Sequence, residues 1–319
     1  MKVLFWGTPD FALPTLRALI GEGHDVVGAV TQPDRPRGRG RTPTPTPVRE
    51  VAEAEGIRVL TPEKPRGDEF MAEIRELEPD VSVVVAYGHI LVPEVLELPT
   101  RGSWNVHASL LPKLRGAAPI HWAIARGHSQ TGVTVMRMEE GLDSGPMLVR
   151  RVEPIRPTDT SSGLAVRLAG LGAGAMIEAL SLLEFGSPDQ VEQDHDEATY
   201  APKVSRDVAA IDWARPGREV ANHVRAMDEV PGAWTTRDGQ PLKLFSPSPE
   251  IGDPAHVPSA DSEPGTVVDA DPDRDAGLAV LTGDGVVRFA EVQPPGKRRM
   301  AVAAWLRGRS IETGDRLGD

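Results

Sequence analysis

The chain has 319 residues, a formal charge of −12 and no cysteine. That length supports two domains with sizeable cores; the missing cysteines exclude disulfides, thiolate metal sites and a thiol nucleophile together, which fits a reducing, cytoplasmic setting. The acidic balance excludes an overall basic surface for coating nucleic acid, so any polyanion has to meet local basic patches.

The opening MKVLFWGTPDF has too short an apolar stretch before Gly7 and Pro9 for a secretory core. KVLFW reads as a buried strand and GTPD as its turn. FALPTLRALIGEG reads as a helix ending at glycine, with Pro14 early enough to spare most of its hydrogen bonds. HDVVGAV is the next strand. In TQPDRPRGRGRTPTPTPVRE, Arg35, Arg37, Arg39 and Arg41 occupy every second position among Pro, Gly and Thr. This composition forbids a helix or a regular central strand and predicts a surface loop. VREVAEAEGIRVL and EFMAEIRELEPDVSVVVAYG continue the alternation of apolar strands with amphipathic helices, the pattern of a parallel sheet covered by helices. The apolar run near VSVVVAYGHILV falls well short of a membrane span, and a soluble protein with no membrane partner is expected.

TGVTVMRME and GPMLVRRVEPI read as two strands flanking GLDS, and TSSGLAVRLAGLGAGAMIEALSLLEFG as a long helix despite its glycines, closing the first unit near Gly186. SPDQVEQDHDEATYAPKVSRD is polar and aperiodic, as a linker is. AIDWARPGREVANHVRAM then predicts one helix. AWTTRDGQPLKLFSP, GTVVDAD and LAVLTGDGVVRFAEVQP predict short strands spaced for a small barrel or sandwich, with an exposed acidic loop between Glu250 and Asp275. The expected domains are 1–188 and 206–319, joined by a linker at 189–205.

The chemistry narrows by elimination. The first strand-to-helix turn, GTPDF, lacks the glycines of a dinucleotide fingerprint, and the chain has no P-loop and no G-x-S-x-G elbow. The eight histidines form no convincing metal set, since His121 and His128 could share a helix face only at its end. In NVHASLLPKLRGAAPI, strand alternation puts Asn105 and His107 on one face and Trp104, Val106 and Ala108 on the other. Asp143 in GLDSGPM is the matching acid, on a glycine-bracketed turn between two strands. Such a trio serves acyl-type transfer without a covalent intermediate. The asparagine donates to a developing oxyanion, the imidazole carries a proton or, when charged, donates, and the carboxylate orients the histidine or takes a proton from an attacking amine.

These same segments, NVHASLLPKLRGAAPI and GLDSGPM, resemble the signature of the folate-dependent formyltransferases. FWGTPDFA, TQPDRPRGRG, VVVAYGHILVP, IDW and PPGKRRM extend the likeness over nearly the whole chain, toward the branch that acts on initiator tRNA. The resemblance implies a Rossmann-like N-terminal domain and a C-terminal OB-like β-barrel. It implies transfer of a formyl group from 10-formyltetrahydrofolate to the free amine of methionyl initiator tRNA, for translation initiation, by a metal-free monomer. By motif position, Asn105, His107 and Asp143 are catalytic; Ser109, Leu110, Leu111 and Pro112 line the folate site; Ala86, Tyr87, Gly88 and Ile90 meet the pterin ring. It turns the arginine-rich loop toward the tRNA acceptor stem, with Arg41 foremost and Arg37 and Arg39 in support.

A basic cluster, Lys297, Arg298, Arg299, Arg307 and Arg309, stands out in the acidic C-terminal part and predicts tRNA backbone contacts. Two relatives in chemistry share the trio: a sugar-nucleotide amine N-formyltransferase and a 10-formyltetrahydrofolate hydrolase. A nucleic-acid-binding module fused to an inactive fold is the reading from a different class. Acceptor choice separates the first two, and turnover of any kind excludes the third.

Overall fold

A computed structural model of the chain describes residues 1–37, 42–186, 188–248, 250–252, 262–271, 277–308 and 311–318. The chain divides into two compact units, Met1–Pro119 with Gln130–Pro154 and Ala165–Ala201, and Ile120–Ser129 with Ile155–Leu164 and Pro202–Asp319.

The first half of the chain runs β1 (Lys2–Gly7), α1 (Leu13–Gly21), β2 (Asp25–Val30), β3 (Arg35–Arg37), β4 (Thr42–Thr44), α2 (Pro47–Ala54), β5 (Val59–Leu60), α3 (Asp68–Glu76), β6 (Val81–Val85), α4 (Pro93–Leu96) and β7 (Ser103–His107). Proline falls where a helix tolerates it. Pro14 sits in the first turn of α1, and Pro47 opens α2 behind Thr46, whose hydroxyl accepts the Arg49 N–H. Then follow α5 (Pro119–Ala125), β8 (Gln130–Arg137), β9 (Met147–Pro154) and α6 (Ser161–Phe185).

Among the described residues seven strands make one sheet, in the order β5-β2-β1-β6-β7-β8-β9. The pairs from β5 to β7 are parallel, whereas β7–β8 and β8–β9 are antiparallel. The turn between β8 and β9 is too short for a parallel crossover, so the mostly parallel Rossmann-like sheet ends in an antiparallel edge. One core cluster gathers Leu4, Trp6, Val30, Ile74, Val84 and Tyr87. Within it the Trp6 indole donates to Ser82 Oγ at 3.1 Å, which satisfies a buried donor. The hairpin β3–β4 pairs only with itself, in keeping with a segment barred from the central sheet.

Helix α6 departs from the sequence reading in one respect. By length and composition it is apolar enough to cross a membrane, which the shorter run VSVVVAYGHILV is not; half of its most apolar window is buried inside the fold. One of its glycines has a packing role. A Cβ on Gly172 would stand 2.7 Å from Cγ1 of Val106, so the helix lies closer to β7 than any side chain permits.

The second unit carries α7 (Gly217–Ala226), β10 (Trp234–Arg237), β11 (Gln240–Pro247), β12 (Val267–Asp269), β13 (Leu278–Leu281), β14 (Val286–Gln293), β15 (Met300–Ala301) and α8 (Val302–Leu306). Helix α7 is shorter than AIDWARPGREVANHVRAM predicts. Pro216, with its fixed φ and no N–H, marks where the helix begins, and Ala210 instead bridges to Trp234. The strands are antiparallel, ordered β10-β11-β14-β13-β12 with β15 on β14, and curl into a half-barrel as an OB-like reading requires. Trp213 packs edge-on against Phe289 inside it, its N–H on Thr235 Oγ1 at 3.0 Å.

Candidate active site

The sheet order reverses direction between β1 and β6, because β2 and β5 lie on one side of β1 and the later strands on the other. In open α/β sheets ligands collect beyond the carboxyl ends of the strands at such a switch. The loop Ala86–Ile90 leaves β6 there, and the loop after His107 leaves the neighbouring strand end.

Strand alternation holds along β7. Val106 is turned toward Gly172 of α6, so Asn105 and His107 share the opposite side. Asn105 sits between Val84 and Met136 in register and is half-buried. Its carboxamide makes no side-chain hydrogen bond among the described residues.

His107 is buried. Its Nε2 lies 2.9 Å from the Leu114 carbonyl oxygen, which can only accept, so Nε2 carries the hydrogen. That leaves Nδ1, 3.6 Å from Asp143 Oδ2, as the nitrogen free to exchange a proton. The separation is long for a hydrogen bond.

Asp143 occupies the β8–β9 turn in the left-handed region, at φ 48, which aspartate tolerates better than most residues. Its Oδ2 accepts the Gly116 N–H at 2.8 Å, leaving Oδ1 without a protein donor among the described residues. Gly116 itself lies at φ 111, where a Cβ would stand 2.9 Å from the Ala201 carbonyl oxygen, so this donor position requires glycine.

The other sequence-predicted residues divide by what they expose. Ser109 is buried and its hydroxyl donates to the Lys113 carbonyl at 2.6 Å, closing the turn; Leu111 joins Met136 and Met147 in a small core. Leu110 and Pro112 are half-buried. Thr134 Oγ1 donates to the Ser109 carbonyl and accepts the Leu111 N–H, which ties this loop to β8. On the other loop Ala86 and Gly88 are exposed at positive φ, and Ile90 is 83% exposed. Tyr87 points the other way, into the core against Trp6, where burial pushes its phenol above the usual range. Its carbonyl accepts from Thr8 Oγ1 and Gln32 Nε2, anchoring the loop to the segments after β1 and β2.

Of the residues assigned to tRNA, Arg37 ends β3, whereas Arg39 and Arg41 lie outside the described residues. Lys297 and Arg298 are exposed. Arg299 is engaged: it pairs with Asp228 at 2.8 Å and Glu291 at 2.6 Å and lies over the Phe245 ring. Arg307 is exposed and Arg309 lies outside the described residues. No group of three or more potential metal ligands occurs among the described residues.

Arg115 and Gln193, both buried, reach the site without having been singled out in the sequence. Gln193 belongs to the polar stretch read as a linker, which in fact folds back on the first unit. Val191 bridges to Met147, Thr199 accepts from the Arg115 N–H at 2.8 Å, and the Ala201 N–H donates to the Arg115 carbonyl at 2.7 Å. An aperiodic polar segment carries no sequence signal for such docking.

Comparison with known proteins aligns with this geometry. A family described as formyl transferase matches residues 1–180, and its C-terminal domain matches residues 203–310. A methionyl-tRNA formyltransferase of Geobacter metallireducens is 43% identical over 318 residues, covering 100% of this chain and 99% of its own. One of Chromobacterium violaceum is 46% identical over 319 residues, covering 100% of both. Among solved structures, HypX from Aquifex aeolicus in complex with tetrahydrofolic acid superposes with a TM-score of 0.63 at 20% identity. That match covers 100% of this chain and 51% of HypX, so the present chain spans about half of that protein and the likeness is one of fold.

Proposed function

The chain belongs to the formyl transferase family, and from that membership we propose that it transfers a formyl group from 10-formyltetrahydrofolate to the free amine of methionyl initiator tRNA. The observation that carries this reading is the full-length match to methionyl-tRNA formyltransferases at 43% and 46% identity, across both units. The residues present fit a folate cosubstrate. The exposed backbone of Ala86 and Gly88 and the exposed Ile90 leave polar and apolar surface open at the carboxyl edge of the sheet, beside the unengaged carboxamide of Asn105.

The cosubstrate supplies the formyl group and a nitrogen leaving group. As the amine nitrogen bonds to the formyl carbon, negative charge develops on the formyl oxygen, and Asn105 Nδ2 donates to it. Asp143 Oδ1 takes the proton the amine sheds, since Oδ2 is already held by Gly116. His107, its Nε2 fixed on Leu114, exchanges protons through Nδ1 beside that carboxylate and returns one to the departing nitrogen, so the bond to the formyl carbon breaks without a stranded charge. Leu110 and Pro112 wall the cosubstrate, with Ser109 and Leu111 shaping the loop beneath them and Tyr87 holding the opposite loop from the core.

In the same reading, residues 1–188 hold the chemistry, 189–205 connect with 191–201 packed back on the first unit, and 206–319 bind the tRNA backbone through Lys297 and Arg298, with Arg37, Arg39 and Arg41 at the acceptor stem. The protein works as a cytoplasmic monomer, away from membranes and without metal. The test is acceptor choice. With a formyl-labelled donor, label is expected on charged initiator tRNA; label on an amino-sugar nucleotide, or released as formate, overturns the reading.

A further inference from the structure

We propose that Gln193 is the positioning residue for Asp143. The inference rests on the catalytic reading of Asp143 above and concerns what holds that carboxylate in place. Gln193 is 4% exposed and uses both ends of its carboxamide. Oε1 accepts from Arg115 Nε at 3.1 Å and Nη2 at 2.7 Å, while Nε2 donates to the carbonyl oxygens of Asp143 at 2.9 Å and Gly145 at 2.7 Å. The amide therefore has one possible orientation, since a flip would set donors against donors and acceptors against acceptors.

One nitrogen thus ties down the carbonyls of Asp143 and Gly145, the residues on either side of Ser144. The turn they hold keeps Asp143 at its positive φ, a conformation that persists only where surrounding structure dictates it. The carboxylate end is held separately by the Gly116 N–H. Arg115 and Gly116 are adjacent, so one dipeptide of β7's loop fixes the aspartate twice, directly through the Gly116 amide and through Gln193 from the Arg115 guanidinium. Gln193 stands between the guanidinium and the aspartate, and the cation holds the turn without capping the carboxylate. Arg115 is in turn secured by His195 Nδ1, 3.0 Å from Nη2.

A merely structural Gln193 would fasten the segment 191–201 to Arg115 and do nothing more. Gln193→Glu separates the two roles. It keeps the size and the bond to Arg115 but turns the donor into an acceptor facing two carbonyl oxygens. We measure kcat and KM for formyl transfer to charged tRNA, in the wild-type and Asp143→Asn backgrounds, with thermal unfolding and hydrogen exchange of residues 141–146. Positioning predicts a kcat lowered about 10- to 100-fold, KM values for folate and tRNA within about twofold, and faster exchange at 141–146. In the Asp143→Asn background the same change costs less than about threefold, because the group it positions is gone. Should Gln193→Glu unfold early, Gln193→Met, which cannot repel the carbonyls, is held to the same coupling and exchange criteria. An equal loss in both backgrounds, or unchanged exchange with unchanged kcat, overturns the proposal. A wild-type protein that moves no formyl group instead refutes the functional reading, and the exchange measurement then still decides whether Gln193 holds the turn.

Discussion

Replacing Gly172 by alanine sets two effects of known size against each other. Alanine favours the helix by about 1 kcal/mol over glycine. The new Cβ, however, would stand 2.7 Å from Val106 Cγ1, about 1 Å inside normal carbon contact. Val106 has little room to yield. It is 4% exposed and lies on a strand hydrogen-bonded on both sides. Overpacking of this kind costs about 1–3 kcal/mol, so the clash outweighs the propensity and Gly172→Ala is expected to destabilise by about 1 kcal/mol net. Val106 also lies between Asn105 and His107, so a shifted strand moves both groups of the proposed mechanism, and kcat is expected to fall about tenfold while the protein remains folded. Adding Val106→Ala removes the obstructing methyls; the two changes together should cost at least about 1 kcal/mol less than their sum. Urea unfolding of the full chain and steady-state formyl transfer read both quantities. A Gly172→Ala protein stabilised by about 1 kcal/mol with unchanged kcat refutes the argument.

Asp143→Asn keeps size and loses the proton acceptor; turnover is expected to drop about 100-fold or more with folate binding retained, and a near-normal variant removes Asp143 from the mechanism. Asn105→Ala should lower kcat more than it weakens cosubstrate binding, and the reverse pattern in steady-state kinetics contradicts an oxyanion role. Burial holds His121 and His223 below the usual histidine range. Both take up a proton less readily in the folded chain than in the unfolded chain, which protonates below about pH 6.5, so the unfolded state binds more protons and stability falls as pH drops through that value. The urea midpoint should decline from pH 7.5 to 5.5 on the order expected for such shifts, and an equal decline in a His121→Gln, His223→Gln double variant rejects this cause. Arg299→Ala leaves the buried Asp228 carboxylate unpaired and should cost about 2 kcal/mol of stability after discounting the arginine's exposure. Lys297→Ala with Arg298→Ala should leave stability unchanged and reduce the salt slope of tRNA binding by roughly two units; the opposite assignment of effects reverses these roles. Alanine at Arg37, Arg39 and Arg41 together should raise KM for charged tRNA with folate binding unchanged, and normal formylation across a salt series makes that segment an ordinary loop.

Period-two alternation was enough to place Asn105 and His107 on one side of β7, because a strand flanked by two neighbours has only two faces. The glycines of α6 did not mislead, since a long apolar pattern outweighs single-residue propensity when the helix is buried. Tyr87 was harder to read. Ala86 and Gly88 both lie at positive φ, which turns the tyrosine inward, and nothing in VVVAYGHILVP marks Ala86 for that conformation. The helix expected from AIDWARPGREVANHVRAM overran its start because propensity spread across Pro216. Gln193 was invisible for a different reason: its partners, the Asp143 and Gly145 carbonyls and the Arg115 guanidinium, come from turns that only the tertiary fold brings together.

The docking of residues 191–201 gives the first unit a birth order. Asn105, His107 and Asp143 leave the ribosome before Gln193, which follows Asp143 by 50 positions. At about 5–20 residues per second of synthesis, that interval lasts some seconds. During it a nascent chain carries Asn105, His107 and Asp143, and the aspartate turn has the Gly116 amide but not yet the Gln193 clasp. Under the role proposed for Gln193, full turnover then waits on that glutamine and on the tRNA-binding unit that follows it.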